Sequence, residues 1–142
     1  MHIVLGGDHA GYEHKAVVLA ALLEKGHNVD DMGSYSAESC EYPDFAHPVA
    51  KAIQDGKAEF GILICGSANG VSMVANKYPN VRAAIAWLIE LAQLARMHND
   101  ANILCIPARY ISKDEVVAFV DTFLTTEFEG GRHERRVAKI AC

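Results

Sequence analysis

An open parallel α/β sheet with helices on both faces is the fold this chain predicts, on two observations. Apolar runs of strand length alternate with stretches of helical spacing along the 142 residues. One of those runs, Gly61-Ile62-Leu63-Ile64-Cys65, is apolar without alternation, as a central strand buried on both sides requires.

Taken in order, the first strand, His2–Gly6, is a short apolar run ending in Gly6-Gly7. From Gly11 onward, Ala16, Val17, Leu19, Ala20 and Leu23 recur at helical spacing until Gly26 closes the helix. A weak strand near Asn28–Met32 follows, then a helix near Phe45–Gln54 closed by Gly56, then the buried strand Phe60–Cys65. A helix starts near Gly70, a strand covers Val81–Ala86, a helix Trp87–Met97 and a strand Ile103–Ile106. The last long helix begins at Ser112 or Lys113. From Glu127 the chain changes character: Glu129-Gly130-Gly131 breaks that helix, and Arg132–Ile140 forms a short additional one. Its apolar residues Val137, Ala138, Ile140 and Ala141 are few, so it is expected to pack on something outside its own domain core.

The length suits one domain, residues 1–142, and a composition of 51% hydrophobic and 22% charged residues excludes a disordered chain. No apolar run approaches the ~18 residues of a membrane span. A net charge of −5 argues against a nucleic-acid surface; Arg132-His133-Glu134-Arg135-Arg136 is the one basic stretch. The cysteines Cys40, Cys65, Cys105 and Cys142 form no CxxC pair, and no signal segment follows Met1. The expectation is a soluble cytoplasmic protein with free thiols.

Ligands of parallel α/β sheets bind beyond the carboxyl ends of the strands. The first loop there, Gly6-Gly7-Asp8-His9-Ala10-Gly11, fails as a dinucleotide fingerprint although Asp30 and Asp31 lie about 20 residues on. With Gly6 and Gly11 as outer glycines the middle one falls on Asp8, whose carboxylate would repel a pyrophosphate. Asp8-His9 suits a polyol hydroxyl and a single phosphate, while Asp8 is equally a natural helix N-cap.

The second loop, Cys65-Gly66-Ser67-Ala68-Asn69-Gly70, is the most informative. A thiol before a helix N-terminus is expected to feel the dipole and ionise more easily, making Cys65 a candidate base or nucleophile. Gly66, Ala68 and Gly70 let backbone N–H groups approach an oxyanion, and Ser67 adds a hydroxyl. The same cysteine also reads as a buried apolar strand end, and both readings stand at this point. A thiol phosphatase would want an arginine where Val71 stands.

His98-Asn99-Asp100 supplies a titratable ring at a helix end, or simply a C-terminal cap. A metal held by Cys65, His98 and Cys105 lacks any zinc-like ligand spacing. His14, Glu13 and His47 read as solvated. Arg132 and Arg136, four apart, share a helical face and can clasp one phosphate together, and the glycines before them favour contact with a second subunit.

These loops, with Ala75-Asn76-Lys77, His98-Asn99-Asp100-Ala101-Asn102 and Gly130-Gly131-Arg132-His133 through Arg136, resemble type B ribose-5-phosphate isomerases from end to end. That family includes galactose-6-phosphate isomerase subunits and allose-6-phosphate isomerases. The resemblance implies a three-layer α/β/α sandwich with a Rossmann-like five-stranded parallel sheet. It also implies a homodimer, or a dimer of dimers, with sites between subunits. The tail, residues 127–142, reaches the partner, and neither metal nor cofactor takes part. It implies a sugar-phosphate substrate of carbohydrate metabolism, with Cys65 moving a proton between C2 and C1 and His98 opening the furanose ring. The enediolate oxygen would meet the Gly66–Gly70 amides, with Ser67, Asn69 and Asn99 on the sugar and Asp8 on hydroxyls near the ring oxygen. His9 and Arg109, with Arg132 and Arg136 from the partner, would bind phosphate, and Tyr42 would line the pocket.

Two departures bear on the substrate: Ala68 and Pro107 stand where glycine is usual in the family. Retention of both Cys65 and the His-Asn-Asp motif favours a pentose phosphate over allose 6-phosphate or galactose 6-phosphate. A nonenzymatic sugar-phosphate-binding module is the alternative of a different class, and it would have no use for both Cys65 and His98.

Overall fold

The computed structural model describes residues 1–141. Strands β1 (His2–Gly7), β2 (Asn28–Asp31), β3 (Phe60–Cys65), β4 (Ala83–Ile85) and β5 (Ile103–Pro107) form one sheet in the order β2-β1-β3-β5-β4, with every neighbouring pair parallel. Helices α1 (Tyr12–Glu24), α2 (Pro43–Gln54), α3 (Asn69–Ala75), α4 (Ile89–Asn99), α5 (Val116–Thr125) and α6 (Arg132–Ala138) connect and follow the strands. None is long and apolar enough to cross a membrane.

The unbroken apolar strands are explained by two cores. Ile3 and Leu5, Ile62 and Ile64, and Leu104 and Ile106 face one core, together with Val18 and Leu22 of α1, Ala92 and Ala95 of α4, and Phe119 and Phe123 of α5. Their neighbours Val4, Leu63, Ile103 and Cys105 face the other, under Ala46 and Val49 of α2 and Val71 and Ala75 of α3. Successive strand residues point to opposite faces, so a three-layer sandwich needs apolar side chains at every position.

Several boundaries differ from the sequence expectation. The helix expected from Ser112 begins at Val116, because the Ser112 hydroxyl accepts the Glu115 N–H at 3.2 Å and donates to its carboxylate at 2.8 Å, closing a separate turn. The second helix starts two residues early, at Pro43, whose fixed φ suits a first helical turn. Edge strand β4 pairs over Ala83–Ile85 only, since it has β5 as its single neighbour. β2, polar because it is the opposite edge, ends in Asp31, whose carboxylate takes a two-point ion pair from the buried Lys15 ammonium at 2.6 and 2.7 Å.

The sheet order reverses between β1 and β3, which is where such sheets open a crevice beyond their carboxyl ends. The backbone N–H of Asp8, just past β1, donates to the carbonyl of Ile64 on β3 at 3.3 Å. The two glycine-rich loops therefore meet.

Candidate active site

Gly7 and Gly11 are what let those loops close together: a Cβ on either would collide with the Ile64 carbonyl oxygen. Asp8, buried here, does two things at once. Its Oδ1 accepts the backbone N–H groups of Ala10 (3.0 Å) and Gly11 (3.3 Å), capping the short turn His9–Gly11, while Oδ2 accepts the thiol of Cys65 at 3.1 Å. The capping reading and the site reading of Asp8 therefore describe one side chain.

Cys65 departs from expectation. A helix N-terminus lies ahead of it, yet the thiol is pushed up to about 11, chiefly by burial and then by the hydrogen bond and negative charge of Asp8. The backbone amides of Gly66 and Ala68 pull the other way and lose. The lowered thiol read from the sequence is thus corrected: α3 is only seven residues long, and burial, together with the carboxylate touching the sulfur, outweighs it. Cys105, one strand over, is fully buried and pushed further up for the same solvation reason.

Around this pair the loop is held in shape by its neighbours. Ala68 takes a left-handed conformation (φ 65°) that favours glycine, and it is fully buried. The Tyr42 ring covers Gly70 so closely that a Cβ there would strike it, and the Arg109 guanidinium lies 3.1 Å from where a Gly66 Cβ would be. Ser67 and Asn69 sit exposed on the loop, the serine hydroxyl accepting the Asn69 N–H at 3.3 Å. The His9 Nδ1 accepts the Cys40 backbone N–H at 3.2 Å, which leaves Nε2 to carry the proton of the neutral ring. A cleft of about 220 Å³ opens from Ser67 and Asn69 toward Trp87, Pro107 and Tyr110. Asp8, His9, Tyr42, Cys65, Gly66, Ser67, Asn69, Gly70 and Arg109 are thus brought to one end of the sheet.

His98, Asn99, Arg132 and Arg136 are not. β3 and β5 pair with Gly61 opposite Ile103 and Cys65 opposite Pro107, and His98 precedes Ile103 at the end of α4. His98 thus lies below the starting edge of the sheet, with about 13 Å of strand between that edge and Cys65. There its ring stacks on His133 of α6, with centroids 4.1 Å apart and planes 12° apart. The tail is tied to the same place, Glu129 donating its N–H to the Met97 carbonyl at 3.0 Å. Within one chain, then, Cys65 and His98 do not share a pocket. The signal was present in the alternation: a helix between parallel strands runs back, so its C-terminus belongs to the opposite edge.

The same separation removes the metal trio Cys65, His98 and Cys105. Asp31 is occupied by Lys15 and Asp30 by His2 at 2.7 Å, so neither offers a ribose-binding acid. His14 and His47 are engaged, bonding the Ile111 carbonyl and the Tyr78 hydroxyl at 2.7 Å each. Sequence reasoning passed over Lys15, Glu129 and the burial of His133. Cys142 lies outside the described residues.

The family model for Ribose/Galactose Isomerase matches residues 3–140. The chain is 41% identical over 138 residues to ribose-5-phosphate isomerase B of Escherichia coli, spanning 97% of this chain and 93% of that one. It is 43% identical over 141 residues to a probable ribose-5-phosphate isomerase B of Mycoplasma genitalium, spanning 98% and 93%. Among solved structures, a ribose 5-phosphate isomerase of Thermotoga maritima superposes with a TM-score of 0.96 at 48% identity, over 99% of this chain and 97% of that one. The ribose-5-phosphate isomerase B of Mycoplasma genitalium, solved with bound ribulose-5-phosphate, superposes with a TM-score of 0.94 at 42% identity, over 98% and 93%.

Proposed function

The chain belongs to the ribose/galactose isomerase family, and on that premise we propose that it interconverts ribose 5-phosphate and ribulose 5-phosphate through an enediolate. The observation that carries the reading is the thiol of Cys65 held 3.1 Å from a carboxylate inside a loop of backbone amides, at the crevice of the sheet. An aldose-ketose isomerisation needs a group that removes a proton from C2 and returns it at C1, and donors for the oxygen that becomes negative between the two steps.

In this reading the thiolate of Cys65 takes the C2 proton, and the C2–H electron pair moves through C1 onto the carbonyl oxygen. The Gly66–Gly70 amides hold that oxygen, with Ser67 and Asn69 beside it; the C2 hydroxyl proton passes to it, and as the C2 carbonyl forms the thiol gives its proton to C1. At rest the thiol is protonated, and a pKa of about 11 leaves roughly one thiolate in 10⁴ at pH 7. A sugar hydroxyl that takes Asp8 Oδ2 would displace the thiol from it and remove one of the influences opposing ionisation. Substrate binding would then prepare the base. His9 and Arg109 are disposed for the phosphate, and Tyr42 closes the wall over Gly70.

Ring opening and the rest of the phosphate clasp lie at the other end of the chain, so the site is read as completed by a second copy of the chain. His98 and Asn99 travel with Arg132 and Arg136, and a two-fold pairing that brings the arginines to the partner's crevice brings the imidazole with them. His98 would pass the anomeric hydroxyl proton toward the ring oxygen, and Asn99 would orient the sugar.

Purified protein should interconvert ribose 5-phosphate and ribulose 5-phosphate without added metal, and faster than it converts allose 6-phosphate or galactose 6-phosphate. Preference for a six-carbon substrate, or activity abolished by a chelator and restored by a divalent ion, would overturn this assignment.

A further inference from the structure

Lys15 is a buried cation that no step of the proposed reaction uses. Its side chain is 4% exposed and lies near the N-terminus of α1, where the helix dipole disfavours positive charge. Burying an ammonium costs hydration that a paired carboxylate at best roughly repays, so the consequence of the Lys15–Asp31 pair is geometric. Asp31 Oδ1, fixed by that pair, also accepts the backbone N–H of Gly33 at 2.9 Å. The Gly33 carbonyl accepts the Gly7 N–H at 2.8 Å, and the N–H of the buried Ser34 donates to the Gly7 carbonyl at 2.7 Å. The Tyr35 ring lies 5.6 Å from the Lys15 ammonium, and its hydroxyl donates to the Asp31 carbonyl at 2.7 Å. Lys15 thus holds the segment leaving β2 against the loop leaving β1.

That segment reaches the crevice. Ser34 Oγ donates to the Ser36 carbonyl at 3.0 Å and Ser36 Oγ accepts the Glu38 N–H at 3.3 Å, so the chain past Asp31 is bonded to itself at short intervals. Two residues further on, the Cys40 N–H donates to His9 Nδ1 at 3.2 Å and so sets where the opposite nitrogen, Nε2, points. Asp8 is held independently, its carboxylate by the Ala10 and Gly11 amides and its own N–H by the Ile64 carbonyl. We propose that Lys15 is a positioning residue for the phosphate end of the site: through Asp31 and residues 33–40 it sets the His9 imidazole, and it governs substrate binding rather than proton transfer at Cys65. This deepens the isomerase reading above and rests on it for the substrate. A contact made equally in the ground and transition states affects KM and leaves kcat alone, whereas displacing the base or the oxyanion donors lowers kcat.

Lys15→Met removes the ammonium and keeps an unbranched apolar stem. In Lys15→Met/Asp31→Ala neither charge is left buried alone, and this variant carries the test if the single one does not fold. With ribose 5-phosphate, KM should rise at least about tenfold, the share of one hydrogen bond to a charged group, while kcat stays within about threefold. Inorganic phosphate, titrated while amide NMR shifts are followed, should bind weaker by a similar factor of about ten. Amide hydrogen exchange should quicken at least about tenfold more at Gly7, Ser34 and Cys40 than in β3. With Cys40 and Cys142 replaced by serine, the pH profile of Cys65 reaction with an aromatic disulfide should stay parental, because burial and Asp8 are untouched. A parental KM in a folded variant, a lowered kcat with a displaced thiol profile, or exchange that quickens equally throughout overturns the positioning role. Weakened phosphate binding with the local change in exchange, in a protein whose parent does not act on ribose 5-phosphate, would keep the role and reject the isomerase reading instead.

Discussion

Asp8→Asn isolates the electrostatics of the crevice. Asparagine keeps an acceptor for the Ala10 and Gly11 N–H groups, so the turn survives, but it removes the negative charge and replaces the acceptor at 3.1 Å from the Cys65 sulfur with a donor. Burial, the largest influence on the thiol, stays. The thiol pKa should therefore fall from about 11 by about one unit, a share of the shift consistent with a carboxylate in contact. Below that pKa the thiolate fraction rises about tenfold at fixed pH. A more weakly basic thiolate is also a poorer nucleophile, by a factor of about three per unit for a Brønsted slope of 0.4–0.5. The rate of reaction with an aromatic disulfide, followed by absorbance of the released thiolate, should thus rise about three- to fourfold at pH 7. Its plateau at high pH should fall about threefold. Cys40 and Cys142 are replaced by serine in both proteins so that Cys65 reports alone, Cys105 being fully buried. A profile that does not move toward lower pH in the variant would refute the claim that Asp8 holds the thiol protonated.

Cys65→Ala should lower the isomerisation rate by at least about 10²–10⁴-fold with substrate binding, read by calorimetry, largely kept; proton exchange at C2 proceeding at the parental rate would make the thiol structural. Inactive Cys65→Ala and inactive His98→Asn proteins, mixed in equal amounts and allowed to exchange subunits, should recover about a quarter of parental activity, since about half the dimers are mixed and each holds one intact site. No recovery after exchange is verified by sedimentation would return both residues to a single chain and reject the shared site.

Much of this protein is legible in one dimension. The unbroken run Gly61–Cys65 announces a strand covered on both faces, and its members Ile62, Leu63 and Ile64 are all fully buried. The glycines at 7, 11, 66 and 70 mark close approaches, and each proves to be filled by a carbonyl, a ring or a guanidinium rather than by solvent. Such features follow from local periodicity and from the size of a side chain, both of which a sequence carries explicitly.

What the sequence could not decide was any property that depends on which distant elements become neighbours. Asp8 and Cys65 are 57 positions apart, and the carboxylate reaches the sulfur only because β1 and β3 lie side by side in the sheet order. That contact, with burial, reversed the expected direction of the thiol. His98 and Cys65 are closer in sequence, yet α4 runs back to the opposite edge and leaves them at two ends of the molecule. His133 became a buried imidazole, its Nε2 without a hydrogen-bond partner among the described residues, only through the docking of α6 on α4. Local patterning carries the elements and the chemical groups at their ends; which of those groups meet depends on the assembled sheet, because burial and charge act through space and strand order is set by the packing of the whole.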